Sequence, residues 1–210
     1  MNETGPGLRA DARRNREKLV ATARTVIAER GTAFSLDEVA RRAGVGVGTV
    51  YRRFSDREAL VQAVALEDFR RVAASARAAE AEEGTGWDAL RRFVGEAGSD
   101  LLLAGRLSAW FVAAWDSLRA DPENLRLRRS LMEVLDRMVS RAQQEGAVRR
   151  DVTGGDVALL LARVLRPLPG LSEGLDDPER HLAVVLNGLR PVPAADSPLP
   201  GRPPASGELG

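Results

Sequence analysis

Between Phe34 and Phe54 the sequence has room for two helices only, and both must be short. Phe34-Ser35-x-x-Glu38-Val39 is a helix start: the Ser35 hydroxyl can accept from the Glu38 backbone N–H while the Glu38 carboxylate turns back to that of Ser35. Phe34 and Val39 stand where a hydrophobic staple closes. Gly44-Val45-Gly46 stops this helix early, which predicts a helix over 36–43. A second short helix, over 47–53, fits the residues up to Phe54. Ser55-x-x-Glu58 then reads as another capping box, opening a much longer helix.

Two short helices joined by a glycine turn, with a third helix before them, have the spacing of a helix-turn-helix. Ala40 is small where the two must approach, Gly44 sits where a positive φ is cheap only for glycine, and Val45 and Val50 are expected to pack inward. The second helix can then present its first residues to a DNA major groove. A tight three-helix cluster without a DNA role satisfies the bare spacing equally well.

The remaining long segments also read as helices, and none alternates at period two. Leu19, Val20, Ala23, Val26 and Ile27 mark one face of a helix over 11–30, with Gly31 as a left-handed stop. The helix from Ser55 runs to about Glu83, spanning about 40 Å at 1.5 Å per residue. Further helices are expected at 87–104, 106–119 and 122–145. The last of these opens on Asp121-Pro122, a cap followed by proline at the first helical position. One more starts at Thr153 and ends at Pro167, and another starts at Asp177-Pro178 and runs to about Arg190. The fold class is therefore all-α. Three parts are expected: a three-helix domain over 1–54, a larger helical domain over 55–190, and a disordered proline-rich tail over 191–210.

Composition removes several function classes. There is no cysteine, which excludes disulfides, thiolate metal sites and cysteine nucleophiles. The single histidine, His181, leaves little for imidazole catalysis or a zinc site, and no GxxxxGK[ST] loop occurs. No enzyme, metal or cofactor is expected. With no apolar run long enough to span a membrane and no signal-peptide start, the expected location is cytoplasmic. Charge is uneven: residues 1–60 carry 12 basic and 8 acidic side chains, the rest 19 and 22. A basic amino-terminal segment on a slightly acidic body suits an anion-binding module.

The stretch Ser35-Leu36-Asp37-Glu38-Val39-Ala40-Arg41-Arg42-Ala43-Gly44-Val45-Gly46-Val47-Gly48-Thr49-Val50-Tyr51-Arg52-Arg53-Phe54-Ser55-Asp56-Arg57-Glu58-Ala59-Leu60 resembles the DNA-binding region of TetR-family transcriptional regulators. The strong match covers roughly 13–65, and the rest agrees in length and helical layout. The resemblance implies a homodimer that binds operator DNA, commonly as a repressor released by a small molecule. It implies that Tyr51 donates its hydroxyl to a phosphate. Arg53 departs from the family's frequent histidine, and Arg57 stands where lysine is usual. From position alone, Val47 suits a thymine methyl and Thr49 a base or phosphate, while Gly46 and Gly48 allow close backbone approach. Arg52 can reach bases or phosphate, Arg57 a phosphate at a helix start, and Arg13, Arg14 and Arg16 phosphate or the minor groove. Arg41 and Arg42 read as a solvated face.

Residues 87–139 concentrate bulky side chains, including all three tryptophans. Phe93, Trp110, Phe111, Trp115, Met132 and Met138 are the candidates to line a pocket for an apolar or aromatic effector, with a plain core as the alternative. Asp100, Ser108 and Asp116 are polar groups able to orient such a ligand. The stripes Val157, Leu160, Leu161, Val164 and Leu182, Val185, Leu186, Leu189 suit either a four-helix dimer interface or the chain's own core. The rival function is a helical interaction module, or a regulator of this kind without a small-molecule ligand.

Overall fold

The computed structural model describes residues 6–30, 33–106, 121–164, 177–191 and 199–204. Gly31 and the helix expected over 106–119 fall largely outside the described residues, as do most of the tail and the approach to Pro167. Eight α-helices and no strand occur among the described residues: α1 (Pro6–Arg30), α2 (Leu36–Ala43), α3 (Val47–Arg53), α4 (Arg57–Glu82), α5 (Gly86–Arg106), α6 (Pro122–Gln144), α7 (Gly154–Val164) and α8 (Pro178–Gly188).

The short helices begin and end for local reasons. Ser35 Oγ accepts from the Glu38 N–H at 3.1 Å, as the capping pattern requires. Glu38 does not close the box. Its carboxylate instead pairs with Arg30 of α1 at 3.2 Å and with Arg42, one turn on in α2, at 3.3 Å, because two cations are stronger partners than a single neutral N–H. Gly44 takes φ 63° at the end of α2, and its N–H returns to Ala40 and Arg41 carbonyls. The long helix starts one residue later than the Ser55 box implies. Asp56 is its cap, with Oδ1 accepting from the Ala59 N–H at 2.8 Å, and Ser55 donates its hydroxyl to Asp56 Oδ2 at 2.9 Å. A carboxylate is the stronger acceptor and also meets the positive end of the helix.

Two apolar cores form. The first joins Leu19, Val20, Ala23, Val26 and Ile27 of α1 to Phe34, Val39, Ala40 and Val50, and to Leu60, Val61 and Val64 of α4. The second joins Val72, Ala76 and Ala79 of α4 to Leu90 and Phe93 of α5 and Met132, Leu135 and Met138 of α6, with Val157, Leu161, Leu182 and Leu189 closing it. Helix α4 thus belongs to both. At 26 residues it is about 39 Å long, so one rigid rod connects the two ends of the molecule.

The second bundle is tied at the α4–α5 turn. Both carboxylate oxygens of Glu145 accept from the Gly86 N–H, at 2.9 and 3.0 Å. A Cβ on Gly86 would lie against the Ala142 backbone nitrogen and 2.8 Å from Met138 O, so the start of α5 crosses α6 at backbone contact. Within the tail, residues 199–204 lie along the start of α7. The Leu199 N–H donates to Asp151 Oδ2 at 2.8 Å, and Thr153 Oγ1 donates to Pro204 O at 3.2 Å.

Candidate nucleic-acid interface

Helix α3 is held by one face. Val50 is fully buried, and the Phe54 N–H closes the helix by donating to Val50 O at 2.8 Å, with Phe54 itself buried. Away from that face Val47 is 42% exposed and Tyr51 52% exposed, one helical turn apart. Arg52 and Arg53 are exposed, Thr49 is half-buried, and a Cβ on Gly48 would meet nothing within 4 Å. Arg52 Nη2 donates to Thr49 Oγ1 at 3.2 Å, so two of the candidate contact residues touch each other. A methyl-bearing side chain, a phenolic hydroxyl and two guanidinium groups on one open helix can meet base edges, a thymine methyl and phosphate oxygens.

The cations around α3 come from three helices. Arg57, at the start of α4, is half-buried with its guanidinium 5.8 Å from the Phe34 ring centre. Arg16 of α1 lies 5.9 Å over the Phe54 ring at the end of α3. Arg13 and Arg14 are exposed on α1, where Arg13 is 3.6 Å from Glu17 and Arg14 pairs with Asp11. Such exposed pairs contribute little stability, so phosphate oxygens can compete for both guanidinium groups. Arg42 is bound within the head: it pairs with Glu29 at 2.6 Å as well as with Glu38, and the Glu29 hydrogen bond raises its pKa. Lys18 escaped the sequence reading. Its Nζ lies 3.9 Å from where a Cβ on Gly44 would stand, which puts a cation beside the turn between α2 and α3. The available signal was its place directly before Leu19, at the edge of the α1 apolar stripe.

The candidate pocket residues divide. Phe93, Met132 and Met138 are buried together in the second core, on α5 and α6. Trp110, Phe111 and Trp115 lie outside the described residues, as do Ser108 and Asp116. The α7 and α8 stripes divide too. Val157, Leu161, Leu182 and Leu189 turn into the chain's own core, with Val164 and Leu186 packed against it, while Leu160 is the stripe residue left exposed, at 37%. Among the described residues no group of three or more His, Asp or Glu side chains is placed to hold a metal ion, and no helix is long and apolar enough to cross a membrane.

Comparison with known proteins follows this division. The model of the bacterial regulatory proteins of the tetR family matches residues 19–64, and that of the SbtR-like transcriptional regulator C-terminal domain matches residues 87–191. The HTH-type transcriptional repressor KstR of Mycolicibacterium smegmatis is 29% identical over 150 residues, which cover 69% of this chain and 71% of that protein. The crystal structure of a TetR transcription regulatory protein from Mycobacterium vanbaalenii shares 32% identity at a TM-score of 0.62, over 87% of this chain and 99% of the other. The TetR transcriptional regulator SCO0520 of Streptomyces coelicolor shares 29% identity at a TM-score of 0.63, over 85% and 99%.

Proposed function

This chain belongs to the TetR family of bacterial transcriptional regulators, which are DNA-binding proteins rather than enzymes, and from that premise we propose that it is a cytoplasmic repressor released from a palindromic operator by a small apolar or aromatic effector. The observation that carries the reading is the open face of α3, with Val47, Tyr51 and Arg52 exposed around a buried Val50. The repressor assignment draws on the likeness to KstR, itself a transcriptional repressor.

In this reading residues 1–54 form the reading head, and residues 55–190 hold the effector and the second copy. Val47 meets a thymine methyl, and Thr49 and Arg52 meet base edges or phosphate. The backbone at Gly48 lies close to the duplex. Tyr51, Arg53 and Arg57 hold phosphates, and Arg13 and Arg14 reach phosphate or the minor groove. The effector site draws on the side of the second bundle that carries Phe93, Met132 and Met138, together with Trp110, Phe111 and Trp115. Two half-sites must present reading helices about 34–36 Å apart, and an effector that favours a wider separation weakens binding by tilting α4.

An electrophoretic shift with fragments of the protein's own genome tests the reading. The wild type is expected to form a specific band, and Tyr51→Phe with Arg52→Ala to abolish it. With about four to six phosphate contacts per dimer, log K should fall against log salt with a slope of about −4 to −5. A wild type that shifts no fragment specifically would favour the helical interaction module instead.

A further inference from the structure

The buried face of α4 is interrupted once by a carboxylate. Asp68 is 1% exposed and is the one buried acidic side chain among the described residues. It stands one helical turn from Val64 on one side and Val72 on the other, so the stripe that buries α4 buries it as well. Its Oδ1 accepts from Arg24 Nε of α1 at 2.7 Å, and the Arg24 side chain is only 25% exposed. Two residues further on, Arg70 sends Nη2 to Glu123 Oε1 of α6 at 2.7 Å and Nη1 to Glu67 Oε2 at 3.1 Å. One turn of α4 therefore bonds α1 on one side and the start of α6 on the other. The place is specific. Val64 is the last α4 residue in the first core and Val72 the first in the second, so this turn lies between the two.

Apolar ridges seated in grooves hold α1 against α4 only to within about 15–20° of a preferred crossing angle, so they leave its fine setting open. A buried ion pair does choose. Breaking it leaves an uncompensated charge in a dry site, whereas replacing both partners with apolar groups is often neutral for stability. What the pair adds beyond a Leu–Met contact is therefore geometry. We propose that Arg24 and Asp68 are positioning residues for operator recognition: their pair, buried at the Asp68 end, sets the angle at which α1, and with it α3, rides on α4. In a dimer that angle becomes the separation of the two reading helices. The proposal rests on the DNA-binding reading above.

The test compares wild type, Asp68→Asn, and Arg24→Met combined with Asp68→Leu on the operator and on operators with one base pair inserted between the half-sites. Thermal melting is measured alongside. Wild type is expected to lose about tenfold or more in affinity on the inserted sites. The double variant is expected to melt near wild type, to bind the operator about tenfold more weakly, and to show an insertion penalty below about threefold. Asp68→Asn should shift binding the same way. Unchanged operator affinity and an unchanged penalty in the double variant would overturn the proposal. So would a double variant that melts far below wild type and does not bind, since the pair would then be merely structural. Wild type binding no DNA would instead remove the reading underneath.

Discussion

Gly48 has open space where a Cβ would stand, so nothing within the chain demands glycine there. In a helix, alanine is preferred over glycine by up to about 1 kcal/mol. Gly48→Ala is therefore expected to leave the melting temperature unchanged or higher, while weakening operator binding if the duplex backbone lies close. Calorimetric melting and a binding titration on one preparation check it; equal operator affinity would show that this part of α3 stands back from the DNA. The contrast with Gly44 is instructive. There φ is 63°, and the residue type was legible from the turn alone. Val47 and Arg52 were singled out from their place on the second short helix and Tyr51 from the family resemblance, and all three stand exposed on a seven-residue helix pinned by Val50.

Helix α4 is anchored by charge at each end. At its start the Ala59 N–H, and then the Ser55 hydroxyl, hold the Asp56 pKa below the ordinary aspartate range. Towards its end Arg137 of α6 grips Glu80 with two hydrogen bonds of 2.6 and 2.8 Å, and this contact lowers the Glu80 pKa from 4.5. A carboxylate whose pKa is depressed in the folded state adds stability that is complete above its unfolded pKa and disappears as pH falls through the folded one. Glu80→Gln is thus expected to melt below wild type at neutral pH, with the gap closing as pH drops through and below 4.5. Melting curves at several pH values check this, and a gap that does not change with pH would mean that the pair contributes through shape rather than charge. The start of this helix shows how finely local rules can err. Both Ser55 and Asp56 are capping residues, and choosing between them required knowing which acceptor faced the helix end.

As a whole the molecule is two apolar cores on one rod, and this layout sets the thermodynamics of release. If effector and operator prefer different tilts of α4, each must weaken the other by the same factor. Calorimetry with an effector is expected to give a lower affinity when operator is present, by the ratio that operator affinity falls when effector is present. Equal effector affinity with and without operator would end the lever mechanism. The elements themselves were decided locally: capping residues, glycine stops and the three-to-four-residue apolar spacing act over a few residues, so the all-α class and the helix-turn-helix were written in the chain alone. Partner choice was not. The α7 stripe looks uniform in sequence, yet Val157 and Leu161 enter the core while Leu160 stays open, because the neighbour that covers a stripe comes from a distant part of the chain. Asp68 makes the same point most sharply. Its position on a buried face could be counted along α4, but only the folding of α1 onto that face supplies the guanidinium 44 residues away that lets a carboxylate remain there.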